Sequence, residues 1–304
     1  MSPPNVRLES VIDGQRLMLS NLDKVLYPAA AFTKAEVIDY YVRIAAAMLP
    51  HVGDRGVTLR RYPNGVDGKS FFEKRCPSHR PAWVPVALGP GDHNGTIGYC
   101  RLDSVGALAW AANLAALEIH APMARCGDIE RPTMIVFDLD PGEPATIIEC
   151  CAVALQIREV LDLLGLVAFP KTSGSKGMQL YLPVNDDELT HDRAGTFALA
   201  VAQLLERRNP REITSNMAKA ERPGRIFIDW SQNSRHKTTI APYSLRARPR
   251  PTVSTPLTWE EVEAGAEGTA LSFLAGDVLE RVAVHGDLFA PALLLRQTLP
   301  AAAS

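Results

Sequence analysis

The chain has 304 residues, and 32 Lys/Arg against 34 Asp/Glu leave a net charge of −2. A hydrophobic share of 46% beside 22% charged residues excludes a globally disordered chain, and the length is enough to bury a large core. The longest uncharged run, 104–117, is too short and too rich in alanine to span a bilayer, the N-terminus has no apolar signal segment, and five cysteines without a CxxC pair predict neither a disulfide framework nor a zinc site. A reducing, cytoplasmic setting is the expectation, with no membrane partner.

In chain order, the first helix is announced at Thr33-Lys34-Ala35-Glu36, where Thr33 can cap the helix and Glu36 can reach back to it. Val37, Tyr40, Tyr41, Ile44 and Met48 then repeat at helical spacing until Pro50 ends the run. Ser104 to His120 reads as a buried, alanine-rich helix. Met134 to Leu139 reads as an apolar strand. A helix over Ala145 to Leu164 follows, stopped by Gly165. Val167–Pro170 and Met178–Pro183 read as strands, Asp192–Arg208 as a helix closed by Asn209-Pro210, and Arg225–Trp230 as a strand. The Pro-rich stretch 248–256 reads as a connector to an acidic helical tail. Strands and helices without a regular βαβ beat predict an α+β fold with a mixed or antiparallel central sheet flanked by helices.

Charge is unevenly spread. Residues 205–250 carry 11 Lys/Arg against 4 Asp/Glu, 54–80 carry 7 against 3, and 251–304 carry 2 against 7. Two basic segments in a near-neutral chain suggest a face for a polyanion.

The sharpest chemical signal is Phe137-Asp138-Leu139-Asp140-Pro141-Gly142. Carboxylates at i and i+2 of a strand share a face, and they repel unless a cation lies between them. Oxygen donors suit Mg²⁺ or Mn²⁺. Ile226-Phe227-Ile228-Asp229 repeats the pattern beside a basic segment, and three carboxylates on neighbouring strands suit two-metal phosphoryl or nucleotidyl transfer. Between them Thr172-Ser-Gly-Ser-Lys-Gly177 can wrap amides and an ammonium around phosphates, although it is not a Walker A loop. Arg246 and Arg248 alternate along what reads as an extended run, which would give them a shared face for a triphosphate or a nucleic-acid backbone. At the other end of the chain, Lys34 at the first helical position is disfavoured by the macrodipole unless an anion sits there. With Lys24 it suggests a phosphate site using free helix amides, and Phe72 offers a stacking face.

Taken together, Asn21-Leu-Asp-Lys-Val-Leu-Tyr-Pro, Arg61-Tyr-Pro-Asn-Gly-Val-Asp, Phe71-Phe-Glu-Lys, Ala116-Leu-Glu-Ile-His, Phe137-Asp-Leu-Asp-Pro-Gly, Thr172-Ser-Gly-Ser-Lys-Gly and Asp229-Trp-Ser-Gln-Asn resemble one family. That family is the polymerase domain of bacterial ligase D, in the archaeo-eukaryotic primase superfamily, and the likeness runs from about residue 17 to about residue 290. The resemblance implies a single primase-like catalytic domain over 1–290, with an N-terminal part to about 130, a catalytic sheet over about 131–250, and a tail over 291–304. It implies a template-directed nucleotidyltransferase that prefers ribonucleotides, fills gaps and extends ends in double-strand break repair, and uses two Mn²⁺ or Mg²⁺ ions. Asp138, Asp140 and Asp229 fall on the family's metal carboxylates. His120, Ser173, Lys176, Gln179, Gln232, Arg246 and Arg60 fall on positions that hold the incoming nucleotide. Asn21, Lys24, Lys34 and Phe72 fall on the pocket for a downstream 5′-phosphate and its base. DNA with gaps or 5′-phosphorylated broken ends, nucleoside triphosphates, Ku and a DNA ligase are the implied partners, in the nucleoid of a bacterial cytoplasm.

Two positions depart from the pattern. Gln179 stands where the family usually has His, which predicts a weaker grip on the triphosphate, since an amide cannot bring positive charge. Arg60 stands where a relative has Lys and keeps the charge. A DxD glycosyltransferase would explain Asp138 and Asp140 but leave Asp229 and the basic segments idle. A non-catalytic adaptor that bridges DNA ends is a third possibility, favoured only by Gln179.

Overall fold

The computed structural model describes residues 7–91 and 95–300. The chain folds into two compact units, each assembled from separate stretches of sequence. One takes the chain up to Ala121 with Ile240–Val253 and Phe273–Gly286; the other takes Pro122–Thr239, Ser254–Ser272 and the chain from Asp287 on.

In the first unit the helix Lys34–Val52 starts at the expected capping box, with Thr33 and Glu36 bonded reciprocally. It runs past Pro50 to Val52, because a proline in the last turn removes only one late hydrogen bond. Its buried face (Val37, Tyr40, Tyr41, Ile44, Met48) forms the core with the short helix Val105–Asn113. The long helix expected over 104–120 is corrected here. Ala115 adopts a left-handed conformation (φ 56°), and the chain leaves it as the strand Ala116–Ala121. That strand is covered on both faces, so its sequence carries no alternation to distinguish it from a buried helix. It pairs antiparallel with Thr58–Arg61, which pairs with Phe71–Glu73. On its other side, the Ala241 amide donates to the Ile119 carbonyl at 2.9 Å.

The expectation of no disulfide framework is corrected at one pair: Cys76 and Cys100 form a disulfide across 24 residues. Cys76 follows one strand and Cys100 ends another, a pairing that sequence spacing does not reveal. By the chain-entropy argument a closed loop of this length contributes about 3 kcal/mol. The midpoint of thermal unfolding should therefore fall by several degrees when a thiol reductant is added, and should not respond to reductant in a Cys76→Ser/Cys100→Ser variant. Equal midpoints for the parent with and without reductant would show that the bridge adds no stability.

The second unit is built on a five-stranded sheet in the order Phe169–Thr172, Met178–Pro183, Met134–Pro141, Ile226–Asp229, Ile213–Thr214. All neighbours are antiparallel except the last pair, so the sheet is mixed. The helices Ile147–Leu163 and His191–Arg208 bury apolar stripes against it, and the acidic helix Trp259–Ala266 packs on the former. The stretch expected to be a tail after 290 is anchored where it is described. Asn185 donates to the Ala292 and Leu295 carbonyls, and Gln297 pairs with the backbone of Val167.

Candidate active site

The central strand of the second unit carries Asp138 directly opposite Asp229 on one neighbour and opposite Gln179 on the other. Asp140, two residues on, lies on the same face. Burial raises the Asp138 carboxyl to about 7, and Asp140 and then Asp229 push in the same direction. A hydrogen bond from Gln179 and the charge of Lys171 oppose them. Burial is thus a larger cause than the mutual repulsion read from sequence.

Asp229 is engaged locally. One carboxylate oxygen accepts from the Ser231 amide (3.0 Å) and hydroxyl (2.6 Å), and the other accepts from the Gln232 carboxamide at 2.9 Å. The Asn233 side chain, next along, both donates to and accepts from the backbone of Val136 at 2.8 Å, which fixes this turn against the Asp138 strand. The Trp-Ser-Gln-Asn motif is therefore a bracket around Asp229. Among the described residues, no group of three or more His, Cys, Asp or Glu is placed to hold a metal. The donor set itself suits a hard divalent cation: oxygen ligands only, with two carboxylates close enough to Asp138 to help raise its pKa.

Gln179 is 3% exposed, and besides bonding Asp138 it accepts from the Tyr181 hydroxyl at 3.4 Å. The structure thus places this amide against a carboxylate. Lys171, which sequence reading missed, is fully buried beside them and donates to the Ser254 hydroxyl at 2.6 Å. A lysine in an apolar strand gives no local sign of its partner.

The Ser173–Gly177 loop is a closed turn. The Ser173 amide donates to the Gly177 carbonyl at 2.9 Å, and its hydroxyl accepts from the Ser175 and Gly177 amides. The exposed Lys176 forms an ion pair with Glu143 at 2.6 Å. A cavity of about 400 Å³ opens here, lined by Glu143, Thr146, Lys176 and Leu271 among others.

In the first unit, Arg60 lies opposite Glu118 on one side and Phe72 on the other. Glu118, 2% exposed, reaches Arg60 (3.4 Å), His120 (3.0 Å) and Arg246 (3.3 Å), and accepts from the Ala247 amide (3.1 Å). Phe72 packs edge-on to His120 and takes the Arg60 guanidinium over its ring. Sequence reading named Arg60, His120 and Arg246 and not the carboxylate that gathers them. Arg248 is exposed in a bend and does not share the Arg246 environment.

Lys34 does not point into solvent. It is 5% exposed and donates to the Ser20 carbonyl at 2.6 Å. Burial lowers it to about 8, with Lys24 and Arg61 adding repulsion. The helix amides expected to be free for a phosphate are taken: those of Lys34, Ala35 and Glu36 donate to the Lys24 carbonyl, the Leu22 carbonyl and the Thr33 hydroxyl. Any anion here would be met by ammonium groups rather than by the helix end. Lys24 is exposed and donates to Asn64 at 3.1 Å, while Asn21 holds a left-handed turn (φ 52°) whose carbonyl accepts from the Lys24 amide.

Comparison with known proteins agrees with this architecture. The family model described as LigD, primase-polymerase domain, matches residues 33–289. A multifunctional non-homologous end joining protein LigD from Mycolicibacterium smegmatis is 46% identical over 280 residues, covering 91% of this chain and 36% of that protein. The bifunctional LigD of Bacillus subtilis is 31% identical over 271 residues, covering 89% and 43%. The chain therefore spans less than half the length of these relatives. The solved polymerase domain of Mycobacterium tuberculosis ligase D, in complex with DNA, superimposes with a TM-score of 0.86 at 43% identity, covering 92% of this chain and 98% of that one. With an α+β frame of the same fold and a family match over most of its length, this chain belongs to the LigD primase-polymerase domain family.

Proposed function

We propose that this chain catalyses template-directed nucleotidyl transfer onto DNA primers at gaps and broken ends, as part of double-strand break repair by end joining. The observation that carries the reading is the strand register that sets Asp138 against Asp229, with Asp140 on the same face. A glycosyltransferase that needs only the DxD pair gives no reason for the third carboxylate. In the reaction a primer 3′-hydroxyl attacks the α-phosphate of a nucleoside triphosphate, and pyrophosphate leaves as the new phosphodiester forms.

A divalent ion, Mn²⁺ or Mg²⁺, held by Asp138, Asp140 and Asp229 would activate the hydroxyl and neutralise phosphate charge. The Gln179 amide orients Asp138, and Ser231 and Gln232 orient Asp229. Lys176, on exchanging Glu143 for phosphate, takes up triphosphate charge together with the amides of the Ser173 loop. Lys24 and Lys34 serve a 5′-phosphate on the downstream strand. The test is extension of a primer across a short gap with ribo- or deoxynucleotides. Extension should need Mn²⁺ or Mg²⁺ and stop with chelator; no extension under any of these conditions would refute the reading.

The Lys34 environment adds a pH dependence. Its pKa is lowered to about 8, so the ammonium is present below that pH and is lost as pH rises through it. The affinity ratio between 5′-phosphorylated and 5′-hydroxyl gapped DNA should fall between pH 7 and 9.5, a range in which the phosphate stays doubly charged. A ratio flat across that range, or one unchanged in a Lys24→Ala/Lys34→Ala variant, would take the 5′-phosphate away from this pair.

A further inference from the structure

We infer that Glu118 is a positioning residue for nucleotide binding, holding His120 in one tautomer and gathering Arg60 and Arg246 into a single anion-binding group. The inference rests on the nucleotidyl-transfer reading above, together with the resemblance that sets His120, Arg60 and Arg246 among the positions that hold the incoming nucleotide.

The geometry is specific. Glu118 and His120 are two apart on one strand and so share a face. Arg60 is the cross-strand partner of Glu118. Arg246 arrives from the segment after Ile240, where the Tyr27 hydroxyl donates to its carbonyl at 3.1 Å. One carboxylate oxygen faces Arg60 and the His120 Nε2; the other faces Arg246 and the Ala247 amide.

One buried carboxylate between two guanidinium groups leaves this face positive, which suits a polyanion and not a neutral ligand. An isolated carboxylate here would be costly, but its partners compensate for burial. Burial pushes the Glu118 carboxyl up, yet the His120 hydrogen bond, Arg246 and the Ala247 amide bring it to about 2, so it is ionised at every working pH. An ionised carboxylate can only accept. At 3.0 Å the His120 Nε2 must therefore carry the proton. Burial, with Arg246 and Arg60 nearby, lowers the His120 pKa against the pull of Glu118, which favours the neutral ring. His120 is thus set as the neutral Nε2–H tautomer, with Nδ1 unprotonated.

Two measurements test this. First, ¹⁵N NMR of the histidine-labelled parent, with a His120→Gln variant for assignment, should show the neutral Nε2–H tautomer at pH 7.5. A neutral Nδ1–H ring, or an imidazolium, would overturn the inference without any mutation of Glu118. Second, Glu118→Gln keeps the shape but can present either end of its amide to the ring. It should fold, mix the two tautomers, and raise the nucleotide KM about tenfold while kcat changes less than threefold. Glu118→Asp, which retains the charge, should recover part of the KM. A folded Glu118→Gln protein with parental KM, or one that loses only thermal stability, would reduce Glu118 to a structural ion pair and overturn the inference. If instead the parent adds no nucleotide at all, the nucleotidyl-transfer reading fails. The NMR result still decides the tautomer, and nucleoside triphosphate binding by the parent and Glu118→Gln, measured by titration without DNA, then decides the positioning role.

Discussion

Asp138→Asn should reduce nucleotide addition by about a hundred- to a thousandfold, the scale at which loss of one preorganised electrostatic interaction is felt in enzyme sites. The side chain sits at the centre of the carboxylate face, opposite Asp229 and two residues from Asp140. Asparagine keeps its size and can still accept the bond from Gln179, so the strand and its neighbours should stay as they are. Removing a buried charge that faces other carboxylates also relieves repulsion, so the loss should not come from unfolding. Affinity for gapped DNA should stay within about threefold, because the charge interaction with phosphates comes from basic side chains elsewhere. Addition assays beside a DNA-binding titration check both halves. Parental rates of addition would remove Asp138 from the chemistry, and a parallel loss of DNA binding would point to a folding defect.

Gly177→Ala should be strongly damaging, because Gly177 closes the Ser173–Gly177 loop against the central strand. A methyl group there would lie on the Leu139 carbonyl oxygen, deep inside contact distance, with Pro141 also close. Backbone cannot yield as a side-chain tip can, so the loop end must move off the central strand. Overpacking of this kind costs about 1–3 kcal/mol. The displaced loop carries Ser173 and Lys176, so the nucleotide KM should rise tenfold or more as well. Gly195→Ala is the control. Nothing lies within 4 Å of a methyl group at that helical position, and the exchange should stabilise by about 0.5–1 kcal/mol. Thermal melts of the two variants should move in opposite directions, and nucleotide titrations should weaken only for Gly177→Ala; a neutral Gly177→Ala would show that the loop is not fixed by this approach.

How far the sequence could be read depended on whether the signal was local. The placing of Asp138, Asp140 and Asp229 on neighbouring strands was legible because each lies in an apolar run that reads as a strand, and the strands Met178–Pro183 and Ile226–Asp229 came within a residue or two of expectation. The capping box at Thr33 placed one helix start for the same local reason. The run through His120 failed because a strand buried on both faces has no alternation, and nothing in the sequence marks Ala115 as left-handed. That error also hid Glu118, which in a helix would not share a face with His120. The Cys76–Cys100 bridge, the buried Lys171 and the filling of the Lys34 and Ala35 amides by the Lys24 and Leu22 carbonyls all depend on partners outside the local pattern. The discontinuity of the two units has the same origin, since no composition shift marks the returns at Ile240 or Phe273.

The most direct measurement is single-nucleotide incorporation opposite each of the four template bases in a 5′-phosphorylated gap, with each nucleotide offered alone. The account predicts that the complementary nucleotide is added in every case, only with Mn²⁺ or Mg²⁺ present, and not by Asp138→Asn. Addition that ignores the template base, or that survives chelation or the Asp138→Asn exchange, would contradict it.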